Sequence, residues 1–309
     1  PWGGWAADCR LRPWTWGSSI DHFDRLGLDL QLTASAAMDQ HRHRFDQLAW
    51  PAAQRAAQQA GATVIWPFGA CEQHGPQLPL ATDAVFAEGI IDAVLKQLDP
   101  TLPIWRLPSQ SIGFSPEHQA FPGTLTLSAD LILQLVSEVG AQLAAIGIHR
   151  LVLFNAHGGQ IGLLQVAARQ LRARCPAMAV LPCFLWSGVD GLADLLPIHE
   201  RDNGLHAGQA ETSLMLHMAP HLVGDQRPVD GLPEVDPPLG WSLEGAAPCA
   251  WLTNDLSKSG VIGDSRQASA ALGSSLHHLL IQHWRERFEA LLATEWPPLE
   301  SRLQNSSTS

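Results

Sequence analysis

The run Val64-Ile-Trp-Pro-Phe-Gly-Ala-Cys-Glu-Gln-His-Gly-Pro-Gln-Leu-Pro-Leu-Ala-Thr-Asp83 constrains the fold of this chain most. It starts as an apolar, strand-like stretch, breaks at Pro67 and Gly69, and then presents Glu72, His74 and Asp83, three potential metal ligands within twelve residues. An apolar strand that ends in polar residues with ligand chemistry is where an open α/β sheet places its active site. Glu72 and His74 are two apart, so in extended chain their side chains project to one side, while Asp83 stands at the start of the next helical pattern. Alone, the pair is weak evidence, because polar residues are exposed by default.

The flanking chain reads as alternating helix and strand. The spacing predicts a helix over 50–61, with Pro51 in its first turn and Gly61 as its stop, then a short buried strand over 63–66. Thr82 is placed to cap a helix running to about residue 98, and 103–108 reads as a second strand. After an irregular stretch over 109–127, Ser128 caps a helix to about 146; strands follow at 150–154 and 178–185, with a helix from 159 to 174 between them. A helix over 208–218, a Pro- and Gly-rich stretch over 222–263 and a long amphipathic helix over 265–292 complete the pattern. Repeated strand–helix units predict an α/β fold with a mostly parallel sheet and helices on both faces. The organisation expected is an N-terminal extension over 1–43, partly ordered at best, one domain over 44–293, and a flexible tail over 294–309.

Composition narrows the functional classes. With 309 residues and 46% apolar content, burying a core is not in question. A net charge of −11, from 30 acidic and 19 basic residues, repels phosphate backbones and anionic lipid. The expected partner is therefore a small-molecule substrate, with no nucleic acid and no membrane. Five scattered cysteines without CxxC spacing suggest neither a zinc knuckle nor a disulfide framework. Together with the lack of a membrane-length apolar run or a secretory pattern, they make the cytoplasm the expected setting.

Two later segments carry ligand chemistry as well. Phe154-Asn-Ala-His-Gly-Gly-Gln160 puts His157 directly after a strand, followed by Gly158 and Gly159, which let the backbone turn tightly and approach a ligand. The same glycines suit a phosphate-cradling turn, although no Walker lysine follows. Gly204-Leu-His-Ala-Gly-Gln-Ala-Glu-Thr-Ser213 places His206 before a helix and Glu211 in its first turns, so both can point into one cleft. Thr212 and Ser213 read as packing or as donors to a ligating carboxylate. His149, His217, His221, His277, His278 and His283 lack partner spacing, and Cys71 reads as a small buried residue.

These segments, in this order, resemble the creatininase family of metal-dependent amidohydrolases. The resemblance rests on Pro67-Phe-Gly-Ala-Cys-Glu-Gln-His-Gly-Pro-Gln-Leu-Pro79, Asp83, Phe121-Pro-Gly-Thr124, Asn155-Ala-His-Gly-Gly-Gln160 and His206-Ala-Gly-Gln-Ala-Glu-Thr-Ser213, with Ser259-Gly-Val-Ile-Gly-Asp264 as a further shared feature. It implies a three-layer α/β/α sandwich, a homo-oligomer (commonly a hexamer) and two divalent ions, zinc or manganese, with iron possible. Carried over, Glu72 and His157 would bind one ion, His74 the other, and Asp83 would bridge them. Creatininase draws a further ligand from a glutamate at the position of Gly159, and Glu211 is the candidate to fill that vacancy. Gln77 stands where histidine is usual and Gln160 where asparagine is usual. The implied function is hydrolysis of a non-peptide C–N bond in a cyclic amide or formamide by a metal-activated water. His206 beside Glu211 would shuttle the proton, and Ser115, His118, Gly158 and Gly159 would contact substrate. Deformylation of a formylamino-pyrimidine, peptide trimming, and a metal-free binding or assembly role are the alternatives.

Overall fold

A computed structural model describes residues 43–231, 233 and 236–297. The expected extension therefore lies outside the described residues except for His43, as does the tail beyond Pro297. Four parallel strands form the sheet: β1 (Thr63–Phe68), β2 (Ile104–Arg106), β3 (Arg150–Asn155) and β4 (Ala179–Phe184), in the spatial order β2-β1-β3-β4. The chain moves outward on one side from β1 to β2 and on the other from β3 to β4. The reversal falls between β1 and β3, so the crevice at their carboxyl ends is where this topology binds a ligand.

Strand alternation sorts the side chains into two layers. Val64, Trp66, Phe68, Leu151 and Leu153 face a cluster that includes Ile132 and Val136 of α3 (Ala129–Ala145) and Leu164 and Leu171 of α4 (Ile161–Arg174), with α1 (Trp50–Ala57) at its side. Ile65, Ile104, Val152 and Phe154 face the opposite cluster, built on α2 (Thr82–Gln97), α7 (Gln209–Met218) and α9 (Ala270–Leu292). Between α4 and α7 lie the short helices α5 (Leu192–Leu195) and α6 (Ile198–Asn203), which the periodicity did not reveal; α8 (Thr253–Leu256) is equally short. The result is the expected α/β/α sandwich. Each fully buried Phe, Ile or Leu on these faces contributes about 1.5–3 kcal/mol of transfer free energy. Arg106 ties β2 to α2 through Asp92 (2.5 Å) and Glu88 (2.7 Å).

Several boundaries differ from the sequence expectation for physical reasons. β1 does not break at Pro67 but runs to Phe68. The carbonyls of Ile65 and Pro67 point toward the β2 side, where they accept from Leu107 N and Gln110 N. β2 has already ended at Arg106, so the N–H that proline lacks has no strand to meet. Thr82 is not the cap of α2: Ala81 holds that position, and the Thr82 hydroxyl donates to Pro79 O at 2.7 Å. The last helix starts at Ala270, capped by Ser269, because Ser265 is held to Pro228 O by both its N–H and its hydroxyl. At the far end, Arg150 donates to the carbonyls of Thr294 and Trp296, which anchors the first residues of the expected tail. Among the described residues, no helix is long and apolar enough to cross a membrane, and Cys71, Cys183 and Cys249 are free thiols.

Candidate metal centre

The end of β1, the end of β3, the first turn of α2 and the turn before α7 meet at the carboxyl edge of the sheet. Gly69 lets β1 and α2 approach: a Cβ there would lie 2.5 Å from the backbone of Ala84. That contact sets Asp83 directly beyond the strand end. Gln160 ties the same corner together, donating to Gly69 O (3.0 Å) and Asn155 Oδ1 (2.9 Å) and accepting from Phe114 N. Asn155 in turn accepts from His157 N and donates to His157 O, which fixes the turn that aims the imidazole.

Glu72, His74, Asp83 and His157 are all buried, and their polar atoms converge. His157 Nδ1 is 3.1 Å from Glu72 Oε1 and 3.4 Å from Asp83 Oδ2; His74 Nε2 is 3.2 Å from Asp83 Oδ1 and 4.0 Å from Glu72 Oε1. Glu72, Asp83 and His157 form one set of donors within 4.8 Å of one another, and His74, His206 and Glu211 form a second. Both Glu72 oxygens, His74 Nε2 and Asp83 Oδ2 lack a hydrogen-bond partner. Short distances without bonding geometry, in groups removed from water, are costly unless a cation sits among them. The donor set of carboxylate and imidazole suits a divalent ion such as zinc or manganese.

Glu211 is not beside Gly159. It approaches the His74 side of the centre and accepts from Ala207 N at 2.6 Å, closing a turn in which Ala207 has a φ of +53°. The space a side chain at 159 would occupy is taken by Glu117, a residue the sequence reading did not single out: a Cβ on Gly159 would lie 1.7 Å from Glu117 Oε1. Gln77, also buried, donates to Ala207 O and Thr212 Oγ1 and so braces the turn that carries Glu211.

His118 reaches the centre and lines the cavity, whereas Ser115 stands behind His157 and does not line it. The Gln73 amide is oriented by two backbone bonds, accepting from Gly75 N (2.9 Å) and donating to Gly260 O (3.0 Å), so its nitrogen faces His118 Nδ1 at 2.9 Å. His118 Nδ1 is then an acceptor and the ring proton sits on Nε2, 3.4 Å from Glu72 Oε1. This ring offers the centre an N–H rather than a lone pair. Ser115 Oγ lies 3.4 Å from His157 Nε2.

His206 stacks between His74 and His118, with ring centroids at 4.3 and 4.1 Å, and donates through Nε2 to Gln73 O at 2.7 Å. Burial, reinforced by the neighbouring His118 and His74 rings, holds its pKa well below the ordinary histidine value. Burial lowers His74 too, but the Asp83 and Glu211 carboxylates more than offset it and lift the ring to about 9. Burial raises the Glu211 carboxyl to about 7, against the pull of His74. Asp83, penalised by burial but facing His74 and His157, is held below the usual carboxylate range.

A cavity of about 440 Å³ opens onto this centre. Glu72, Asp83, His157, Gly158 and Gly159 form its floor, and Trp186, Leu192, Leu196, Arg201, Glu244 and Trp251 contribute to its walls. A larger space of about 690 Å³ beside β4 lies between α4 and α9, but its lining brings no comparable set of ionisable groups together.

Comparison with known proteins identifies relatives of this chain. The family model Creatininase (creatinine amidohydrolase) matches residues 46–288. A mycofactocin precursor peptide peptidase of Mycobacterium tuberculosis is 33% identical over 71% of this chain and 81% of its own length; that of Mycobacterium ulcerans is 34% identical over 68% and 78%. The creatinine amidohydrolase of Pseudomonas putida is 26% identical over 62% of this chain and 78% of its own length. A solved manganese creatininase superposes with a TM-score of 0.66, covering 81% of this chain and 98% of that one at 23% identity, a likeness of fold. With the family model matching residues 46–288 and relatives 33–34% identical over more than two thirds of its length, the chain belongs to the creatininase family.

Proposed function

We propose that the chain is a metal-dependent hydrolase of an amide C–N bond, and that its substrate is a peptide trimmed near one end. The observation that carries the hydrolase reading is the convergence of unpartnered, buried oxygen and nitrogen atoms of Glu72, His74 and Asp83, with Glu72 and Asp83 lining an open cavity. Divalent ions held by Glu72, Asp83 and His157 on one side and by His74, Asp83 and Glu211 on the other would supply an activated water and a polarised carbonyl. The residues themselves do the rest. Asp83, between His74 and His157, spans both sides of the centre. His118 presents its Nε2–H to the cavity beside Glu72. His206, beside Glu211 and with its Nδ1 3.9 Å from Glu72 Oε1, is the group placed to shuttle a proton to the leaving nitrogen.

The peptide reading is favoured over the cyclic amide or formamide by two observations. The relatives at 33–34% identity are named peptidases, and a cavity of about 440 Å³ walled by Trp186, Leu192, Leu196 and Trp251 lies in the range that encloses ligands well above single-ring size. The test is a hydrolysis screen of zinc- or manganese-loaded protein over short peptides, lactams, formamides and creatinine. Release of a terminal fragment from a peptide is the expected result. Turnover of a lactam or creatinine with every peptide intact would overturn the peptide reading, and no turnover together with no metal uptake would overturn the hydrolase reading. By family resemblance we also propose a homo-oligomer, a hexamer, which sedimentation tests directly, and a cytoplasmic setting.

A further inference from the structure

We propose that Gly159 and Glu117 form a matched pair in which glycine leaves room for the Glu117 carboxylate, and the carboxylate orients His157 for ion binding. The proposal rests on the metal-dependent reading above and adds a positioning residue to it. His157 has two edges. Its Nδ1 faces Glu72 and Asp83, whereas its Nε2 faces Phe114 O at 3.0 Å, Glu117 Oε1 at 3.3 Å and Ser115 Oγ at 3.4 Å. A carbonyl and a carboxylate can only accept, so Nε2 carries a proton, and with an ion among Glu72, Asp83 and His157 the Nδ1 edge would give that ion its lone pair.

The Phe114 carbonyl by itself selects this tautomer. Glu117 adds a negative charge on the far side of the ring, which makes the ligating nitrogen a better donor, and it clamps the ring against the 109–127 loop. A carboxylate behind a ligating histidine is a recurrent way of tuning a metal site, and its removal costs about 10–100-fold in metal affinity. Gly159 is needed for space and not for conformation, since its φ lies outside the left-handed range. A Cβ there would stand 1.7 Å from Glu117 Oε1 and 2.7 Å from His157 Nε2. Gly162, three residues on, has nothing within 4 Å of its Cβ position and serves as the control.

The experiment measures zinc affinity of the full chain by competition with a chromophoric chelator, the absorption spectrum of the cobalt-loaded protein, and the thermal midpoint of the metal-free protein. Expected are a 10–100-fold weaker zinc affinity in Glu117→Gln and in Gly159→Ala, a shifted cobalt spectrum in both, and wild-type affinity in Gly162→Ala. In a Glu117→Ala background, Gly159→Ala should cost less than it does alone, because the 1.7 Å clash with the carboxylate is gone and only the 2.7 Å contact with His157 Nε2 remains. The pairing is overturned if Glu117→Gln binds zinc within twofold of wild type, if the two effects add, or if only the metal-free midpoint moves. A wild-type chain that binds no zinc would overturn the metal reading itself, a result distinct from all of these. If Gly159→Ala fails to fold, the two Glu117 variants alone decide.

Discussion

Gly69→Ala isolates the contact that places Asp83. Gly69 is held on both sides, its N–H donating to Gln110 O at 2.9 Å and its carbonyl accepting from Gln160 at 3.0 Å, so the strand end cannot yield. The added methyl would meet Ala84 N and Cα at 2.5 Å and Asp83 C at 2.9 Å, all backbone atoms. Restoring ordinary contact at 3.4 Å moves the first turn of α2 by about 0.9 Å. Behind that turn, Phe86, Ile90 and Ile91 are fully buried, so the shift propagates into a packed layer and costs about 1–3 kcal/mol. For a domain of this size that lowers the melting temperature by roughly 2–12 °C. The effect on ion binding is disproportionate, because ligand distances must hold to within about 0.2 Å. The expected result is a folded variant, by far-UV circular dichroism, with zinc affinity reduced at least about tenfold in chelator competition. A variant with wild-type zinc affinity and a wild-type melting temperature would refute the claim that this close approach sets Asp83.

Two other predictions follow from the same geometry. Gln77→Ala removes the donor to Ala207 O and Thr212 Oγ1 beneath the turn that carries Glu211, and should lower the unfolding free energy by about 1–3 kcal/mol in denaturant titration; an unchanged midpoint would contradict the bracing role. Burial pushes the Asp230 carboxyl up, but hydrogen bonds from the Ser259 and Gly231 amides and the Ser257 and Ser259 hydroxyls hold it at about 2, against 3.8 unperturbed. Its stabilisation is therefore complete above pH 3.8 and lost as pH falls toward 2, so the stability gap between wild type and Asp230→Asn should be widest above pH 4 and close in acid. A gap that widens in acid would reverse the assignment.

Much of the fold was legible because its signals are local. The apolar runs over 63–66 and 150–154 and the capping signal at Ser128 are properties of a few consecutive residues, and a parallel sheet with helices on both faces follows from their order. Pro67 misled as a strand break because its tolerance depends on where the neighbouring strand ends, a fact about β2. The site divides in the same way. Glu72, His74, Asp83 and His157 stand at strand and helix ends, where ligand chemistry announces itself. Glu117 sits in an aperiodic loop, and its approach to His157 depends on a space left open by Gly159 forty-two residues later. Gln73 gives no sign in sequence of fixing the His118 tautomer, since the bond to Gly260 that orients it spans most of the domain.

The central claim is that Glu72, His74, Asp83 and His157 form a divalent-ion centre, and metal content measures it most directly. Elemental analysis of wild type and Asp83→Ala after reconstitution with zinc or manganese and removal of free ion should find two equivalents in wild type and essentially none in the variant. Well under one equivalent in wild type, or two retained without Asp83, would contradict the account.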